Sequence, residues 1–107
     1  NIQSRPDGRT VVNLVKCHVN ACDSFQMLYV THPTRLKENL HAHDNSYEAL
    51  YFLDMATYLV NGKEYTLDSG DLLVLEPGDV HGAIPIDNEV RIIVFQSPAI
   101  TSDKRII

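Results

Sequence analysis

Cysteine is scarce in this 107-residue chain, and its two cysteines form no recognisable site. Cys17 and Cys22 are separated by four residues, which include His18. A zinc site of the knuckle type needs two further ligands with comparable local spacing, and the sequence does not offer them. We therefore expect two unliganded thiols, and we expect neither His18 nor His32 to bind a metal. His32 precedes Pro33 and is predicted to lie in a loop.

Long hydrophobic runs and clusters of positive charge are also missing. No apolar run approaches the length of a membrane-spanning helix. The formal net charge is −5 and the lysines and arginines are dispersed, which argues against direct binding to nucleic acid or to an anionic membrane. The chain does not open with a basic segment and an apolar stretch, the pattern of a secretory signal peptide. We therefore expect the protein to be cytoplasmic.

The sequence also lacks any segment with a convincing helical period. Short β-branched and apolar segments alternate instead with turn residues at intervals of about 8–12 residues, which is typical of a sandwich or barrel. With 107 residues, 44% of them hydrophobic and 21% charged, the chain has the size and composition of one compact domain, which we predict over residues 1–107. The predicted strands cover residues 10–15, 24–31, 41–43, 47–53, 57–60, 63–67, 71–75, 80–84 and 89–96.

One hairpin is especially clear. Asn61-Gly62 joins the strands predicted over residues 57–60 and 63–67. This dipeptide favours a type I′ turn, whose positive φ angles match the twist of the flanking strands.

A candidate metal site begins with two histidines in one predicted strand. His41 and His43 are two positions apart, so their side chains project to the same face. Their Cα atoms should lie about 6.6 Å apart, a separation from which both imidazoles can reach one ion at bond lengths of about 2.0–2.1 Å. The strand therefore has the geometry of a bidentate ligand.

Two further residues complete a possible ligand set. Glu48 shares a strand face with Leu50 and Phe52, and a carboxylate in apolar surroundings requires a partner such as a divalent cation. His81 follows the turn at Pro77-Gly78, which can bring it back over the mouth of a barrel. Three imidazoles and one carboxylate suit one ion of zinc, iron, manganese, nickel or copper better than calcium or magnesium.

The segments at residues 41–48 and 70–81 resemble the two motifs of the cupin superfamily. The resemblance implies an all-β fold, the cupin double-stranded β-helix or jelly-roll barrel, with a metal held inside it. It assigns the metal-ligand roles to His41, His43, Glu48 and His81.

The match to the cupin motifs is incomplete at the turns. Arg35 and Met55 stand where the family usually has glycine, and Pro77 directly precedes the glycine of the second motif. Pro85 replaces the asparagine expected four residues after His81. These departures affect the turns and leave the ligand set complete.

The resemblance leaves several functions open. One is a stand-alone metal-binding cupin that binds or transforms a small oxygen-rich metabolite, with dioxygenase or isomerase chemistry among the options. A second is a sensing domain without catalysis, because residues 47–53, 61–65 and 70–81 also resemble the ligand-binding domain of arabinose-regulator-type transcription factors. A helix-turn-helix pattern is not found, so the chain is either an excised domain or a protein that stands alone. The acidic balance and the complete set of four ligands favour the stand-alone metal-binding cupin. A structural or storage-like barrel without a site ranks last.

Catalytic residues and oligomeric state are less constrained by the sequence. Tyr47, Tyr58 and Asp44 are polar candidates near the first motif, but each is better explained as a structural hydroxyl or a turn residue. The resemblance implies a homodimer. Residues 11–15 and 92–95 would supply an edge or a face for it, unless they belong to the core.

Overall fold

A computed structural model describes residues 2–15, 25–99 and 103–107, which contain eleven β-strands and no helix. Accordingly, these residues offer no helix that is long and apolar enough to cross a membrane. The strands are β1 (Ile2–Ser4), β2 (Thr10–Asn13), β3 (Gln26–His32), β4 (His41–His43), β5 (Tyr47–Phe52), β6 (Ala56–Val60), β7 (Lys63–Leu67), β8 (Leu72–Leu75), β9 (His81–Ala83), β10 (Val90–Ser97) and β11 (Lys104–Ile106).

The strands form two antiparallel sheets that pack face to face. The six-stranded sheet has the order β1-β2-β3-β10-β5-β8, and the five-stranded sheet has the order β11-β4-β9-β6-β7. Consecutive neighbours in each sheet are mostly distant in sequence, as expected for a jelly-roll barrel. The all-β prediction is confirmed.

The core lies between the two sheets and follows the alternation of each strand. In β10, Val90, Ile92 and Val94 are buried, whereas the residues between them point outwards. The Phe52 ring of one sheet meets the Tyr58 ring of the other, with centroids 5.4 Å apart in an edge-to-face arrangement. Burial of this apolar layer stabilises the barrel and fixes which side chains face its interior.

The predicted Asn61-Gly62 hairpin is confirmed between β6 and β7. The φ angles of Asn61 and Gly62 are 49° and 81°, as a type I′ turn requires. The Asn61 side chain also accepts a hydrogen bond from the Val80 backbone N–H at 2.9 Å and donates one to Asp79 at 3.0 Å. The hairpin thereby holds the segment that immediately precedes His81.

Arg35, at a position where a glycine was expected, takes the conformation that a glycine would favour. Its φ is 58°, in the left-handed region that side chains rarely adopt. Its backbone N–H donates to the Ile86 carbonyl at 2.7 Å. The turn is therefore preserved without the glycine.

The structure overturns one expectation about strands and removes one of the alternatives left open by another. His32 is the last residue of β3 and is buried, so it does not lie in a loop. Residues 92–95 do not form an edge, because β10 lies between β3 and β5, and β2 is likewise covered on both sides. The edges are instead β1 and β11, which were not predicted, together with β7 and β8. The expectations for Cys17, His18 and Cys22 fall outside the described residues.

Candidate metal centre

The histidine cluster is built by two neighbouring strands of the five-stranded sheet. His41 in β4 lies directly opposite His81 in β9, and His43 follows two residues later on the same face of β4. A backbone hydrogen bond joins the turn before β9 to β4, since the Gly78 N–H donates to the His43 carbonyl at 2.8 Å. Strand pairing therefore places three imidazoles side by side on the inner face.

The three imidazoles converge closely enough for a shared ion. One ring nitrogen from each of His41, His43 and His81 lies within 4.8 Å of the others. Opposite ligand atoms of one ion would be separated by about 4.2 Å, twice a bond length of about 2.1 Å. The ring centroids of His41 and His81 are only 4.3 Å apart.

Glu48 approaches the cluster from the other sheet. Its carboxylate oxygens lie 3.2 Å from His81 Nε2 and 3.4 Å from His43 Nε2. Adjacent ligand atoms around one ion are expected roughly 3.0–3.4 Å apart, for bonds of about 2.1 Å at angles of 90–109°. The structure thus brings together all four residues that the sequence singled out.

Two of the histidines are oriented by backbone carbonyls. His41 Nδ1 lies 2.9 Å from the Asn39 carbonyl, and His81 Nδ1 lies 2.9 Å from the Asp79 carbonyl. A carbonyl only accepts, so each Nδ1 carries the proton and each Nε2 presents a lone pair towards the cluster. This arrangement of the outer hydrogen bond is typical of metal-binding histidines.

Two buried nitrogens of the cluster lack a hydrogen-bond partner. They are His43 Nδ1 and His81 Nε2, considered against the described part of the chain. Although Glu48 lies 3.2 Å from His81 Nε2, this approach lacks the alignment of a hydrogen bond. Unsatisfied buried polar atoms are unfavourable, and a cation bound in the cluster would satisfy His81 Nε2.

The electrostatics of Glu48 and His41, though not of His81, favour the protonation states that a cation needs. Burial raises the pKa of Glu48, but contacts with His43 and His81 outweigh it and lower that pKa to about 2. Burial lowers the pKa of His41 to about 4. Burial also acts to lower the pKa of His81, but the Glu48 carboxylate raises it overall. At neutral pH, Glu48 is therefore an anion and His41 is neutral.

The cluster forms part of the wall of a cavity of about 470 Å³ between the sheets. This volume falls within the range of about 300–1,000 Å³ that is usual for small-molecule sites. The polar or ionisable side chains of the wall are Gln3, Arg5, Arg9, Asn13, Gln26, His32, Glu38, His41, His43, Glu48, Tyr58, His81, Gln96 and Lys104.

The three polar candidates near the first motif have different positions. Tyr58 is buried and lines the cavity, and burial raises the pKa of its hydroxyl well above the usual value. Tyr47 is exposed on the outer surface, and the Asp44 carboxylate binds Arg105 at 3.0 Å. Tyr58 is therefore the only one of these three that borders the cavity.

Sequence reasoning missed most of the remaining cavity wall. Gln96 continues the buried face of β10 after Ile92 and Val94, so period-two alternation could have identified it. Arg9 and Glu38 meet at 2.7 Å across 29 positions in sequence, a contact that no local pattern reveals. Tertiary packing therefore decides which residues form the cavity wall.

Comparisons with known proteins agree with this architecture. The family model described as the AraC-like ligand-binding domain matches residues 26–102. The cupin domain of Schizosaccharomyces pombe Cnp3 superposes with a TM-score of 0.76 at 15% identity, covering 92% of this chain and 68% of that one. A comparison with curated protein sequences finds no match.

Two bacterial structures have the same fold. KdgF from a Halomonas species has a TM-score of 0.75 at 18% identity, covering 94% of this chain and 88% of its own. Pac13, described as a nucleoside dehydratase and known from Streptomyces, has a TM-score of 0.75 at 12% identity, covering 100% of this chain and 83% of its own. At these identities the likeness establishes the fold, and the predicted cupin barrel is confirmed.

Proposed function

This chain belongs to the family of AraC-like ligand-binding domains, and from that premise we propose that it is a cupin that uses one divalent transition metal to bind a small oxygen-rich metabolite. The proposed ligands are His41, His43, Glu48 and His81. The observation that carries the proposal is the convergence of these four side chains on the wall of a cavity large enough for a metabolite. The order of strands and the buried, unpaired Nε2 of His81 support it.

The donor set restricts the choice of ion. Imidazole and carboxylate together suit zinc, iron, manganese, nickel or copper. Such an ion supplies a Lewis acid and, when it is redox-active, an electron-transfer centre. With four protein ligands, an octahedral ion keeps about two positions for a metabolite or for water.

Metal analysis of the purified protein tests the proposal. Tag-free protein prepared without chelator should contain close to one transition metal ion per chain by inductively coupled plasma mass spectrometry. The His41→Ala/His43→Ala variant should contain almost none. His32→Ala is the matched control, because His32 is also a buried histidine of the cavity wall but lies outside the cluster. Absence of metal from the wild type after reconstitution would refute the proposal.

A sensing domain without catalysis is the second candidate, and the family match favours it. Binding and turnover separate the two. A sensor returns the bound metabolite unchanged, whereas an enzyme of the dioxygenase or isomerase type changes its mass or its NMR spectrum. Oxygen consumption by iron- or manganese-loaded protein tests the dioxygenase option directly.

We further propose that the protein forms a homodimer through its outer apolar face, which consists of Tyr47, Tyr51, Leu72, Val74 and Phe95. All five are exposed, with Leu72 and Val74 at 58% and 56%. Strand register joins them, because Tyr51 pairs with Leu72, and Ala49 lies between Phe95 and Val74. Apolar patches of this kind often mark protein interfaces.

Sedimentation velocity tests the dimer. The wild type should sediment as a dimer and Leu72→Glu as a monomer. Met55→Glu is the control, because Met55 is 43% exposed but lies outside the outer apolar face. A monomeric wild type would contradict the proposal. The cytoplasmic location and the single domain over residues 1–107 stay predictions.

A further inference from the structure

The cavity lining has one more cationic side chain than carboxylates, although the chain as a whole is acidic. Apart from histidine, its ionisable lining has three cationic side chains, Arg5, Arg9 and Lys104, against two carboxylates, Glu38 and Glu48. The formal net charge of the chain is −5. A ligand in the cavity would therefore meet cationic side chains in slight excess, an arrangement that favours an anion.

Both carboxylates of the cavity already have partners. Glu48 contacts two histidines of the cluster. Glu38 accepts a hydrogen bond from Arg9 at 2.7 Å and another from the Ala83 backbone N–H at 3.0 Å. Neither carboxylate forms a direct ion pair with Arg5 or Lys104.

Arg9 is likewise satisfied, but Arg5 and Lys104 are not. Arg9 lies between the carboxylates of Asp7, at 2.8 Å, and Glu38. Within residues 2–15, 25–99 and 103–107, neither Arg5 nor Lys104 forms an ion pair. In the described part of the chain these two cations therefore have no direct ion-pair partner, although the carboxylates of Glu38, Asp7 and Glu48 act on Lys104 from a greater distance.

Both side chains border the cavity from positions that are exposed to solvent. Lys104 lies opposite His43 in the pairing of β11 with β4, so the two side chains share the inner face. Arg5 is two positions after Gln3, and both line the cavity at the end of β1. Lys104 belongs to the edge strand β11, and Arg5 directly follows the edge strand β1.

The surroundings of Lys104 carry charges of both signs. Burial lowers the pKa of Lys104 and the nearby Arg9 guanidinium lowers it further, while the carboxylates of Glu38, Asp7 and Glu48 act in the opposite direction without cancelling the shift. Neighbouring cations repel one another in a partly desolvated site, and an anion between them relieves that repulsion. On the opposite wall, Gln26 donates to Gln96, which provides polar groups for hydroxyls.

We propose that the cavity binds a small polyhydroxylated anion whose carboxylate or phosphate group is held by Arg5 and Lys104, with its hydroxyl-bearing end towards the histidine cluster. The cavity of about 470 Å³ admits a metabolite and excludes a macromolecule. The inference deepens the proposed function and depends on it for one point only, the orientation of the hydroxyl-bearing end of the ligand towards the metal site. The anion-binding end depends on Arg5 and Lys104 alone.

A matched series of probes tests the charge requirement. Glucose, glucuronate and glucose 6-phosphate share one scaffold and carry a neutral, a carboxylate or a phosphate group at the same carbon. Malate and butane-1,2,4-triol form a second charged and neutral pair. Isothermal titration calorimetry on metal-loaded protein should give at least about tenfold tighter binding for the anion of a series than for its neutral counterpart.

Substitution of the two cations should remove that preference. Arg5→Gln and Lys104→Gln should each weaken anion binding about tenfold and leave binding of the neutral probes unchanged. Arg35→Gln and Lys63→Gln are matched controls, because both residues are exposed and neither lines the cavity. They should bind the anions as the wild type does.

The outcomes separate this inference from the proposed function. Metal content is measured on the same samples, and the titrations are repeated with metal-free protein. Normal metal content without any preference for the anions would overturn the inference and leave the metal site standing. A preference for the anions in a protein that takes up no metal would refute the metal site and support the inference. The carboxylate and phosphate arms identify which anionic group is recognised.

Discussion

Acidification should destabilise the metal-free protein through His41. This side chain lies in the core of the cluster, only 5% exposed, and burial lowers its pKa from 6.5 to about 4. The unfolded chain therefore binds a proton at this residue below about pH 6.5, whereas the folded chain does so only near pH 4. Below pH 6.5, protonation favours unfolding.

The size of this destabilisation follows from the difference between the pKa values of His41 in the unfolded and the folded chain. An interval from 6.5 to about 4 corresponds to at most about 3 kcal/mol of free energy of unfolding, most of it lost by pH 4.5. His81 acts in the opposite direction, because its pKa is raised, so its contribution is complete below pH 6.5 and declines as the pH rises. Glu48, whose pKa is lowered from 4.5 to about 2, loses its contribution only below pH 4.5.

Comparison with His41→Gln isolates this effect. Urea denaturation of metal-stripped protein at pH 7 and pH 4.5 gives the free energy of unfolding at each pH. Between these pH values the wild type should lose about 2–3 kcal/mol more than the variant. His32, whose pKa burial also lowers, is present in both proteins and does not affect the comparison. Equal losses in the two proteins would refute the reasoning.

Three other predictions concern the site and its supports. Free zinc at 100 times its dissociation constant should stabilise the wild type by about 2.7 kcal/mol in thermal melts, and His43→Ala should abolish the effect; an unchanged effect in that variant would remove His43 from the ligand set. Arg9→Met should lower the free energy of unfolding, measured by urea denaturation, by about 2–3 kcal/mol, because the Glu38 side chain, 7% exposed, loses its cation. Recovery of stability in the Arg9→Met/Glu38→Met variant would confirm that the unpaired charge is the cause. A loss below about 0.5 kcal/mol in the single variant would contradict the prediction. Asn61→Ala should lower the free energy of unfolding by about 1–2 kcal/mol in the same assay, since alanine tolerates a φ of 49° poorly and the Val80 N–H loses its acceptor. Unaltered stability would show that the turn does not depend on this side chain.

Local signals were sufficient for most strands. Asn61-Gly62 determines its hairpin through backbone conformation alone, and the alternation of β10 identifies its buried face. Strands β1 and β11 were not predicted because each has only three residues, all of them exposed. Strands of this kind exist through pairing with a neighbour and leave little pattern of their own.

The candidate ligands were predictable because their spacing is local or belongs to a known motif. His41 and His43 follow from strand alternation, and Glu48 follows from its place on an apolar face. The anion-binding residues were not predictable in this way. Arg5 and Lys104 look like ordinary charged residues of the termini, and only the packing of the two sheets brings both to one cavity.

The division of the candidate ligands between the sheets has a consequence for folding. Glu48 belongs to the six-stranded sheet and the histidines to the five-stranded sheet, so an ion held by all four would join the two layers. Completion of the site and docking of the layers would then be one kinetic event. Cobalt(II), whose visible absorption depends on its ligands, would time that docking during refolding. Added zinc should slow amide hydrogen exchange in β4 and β9.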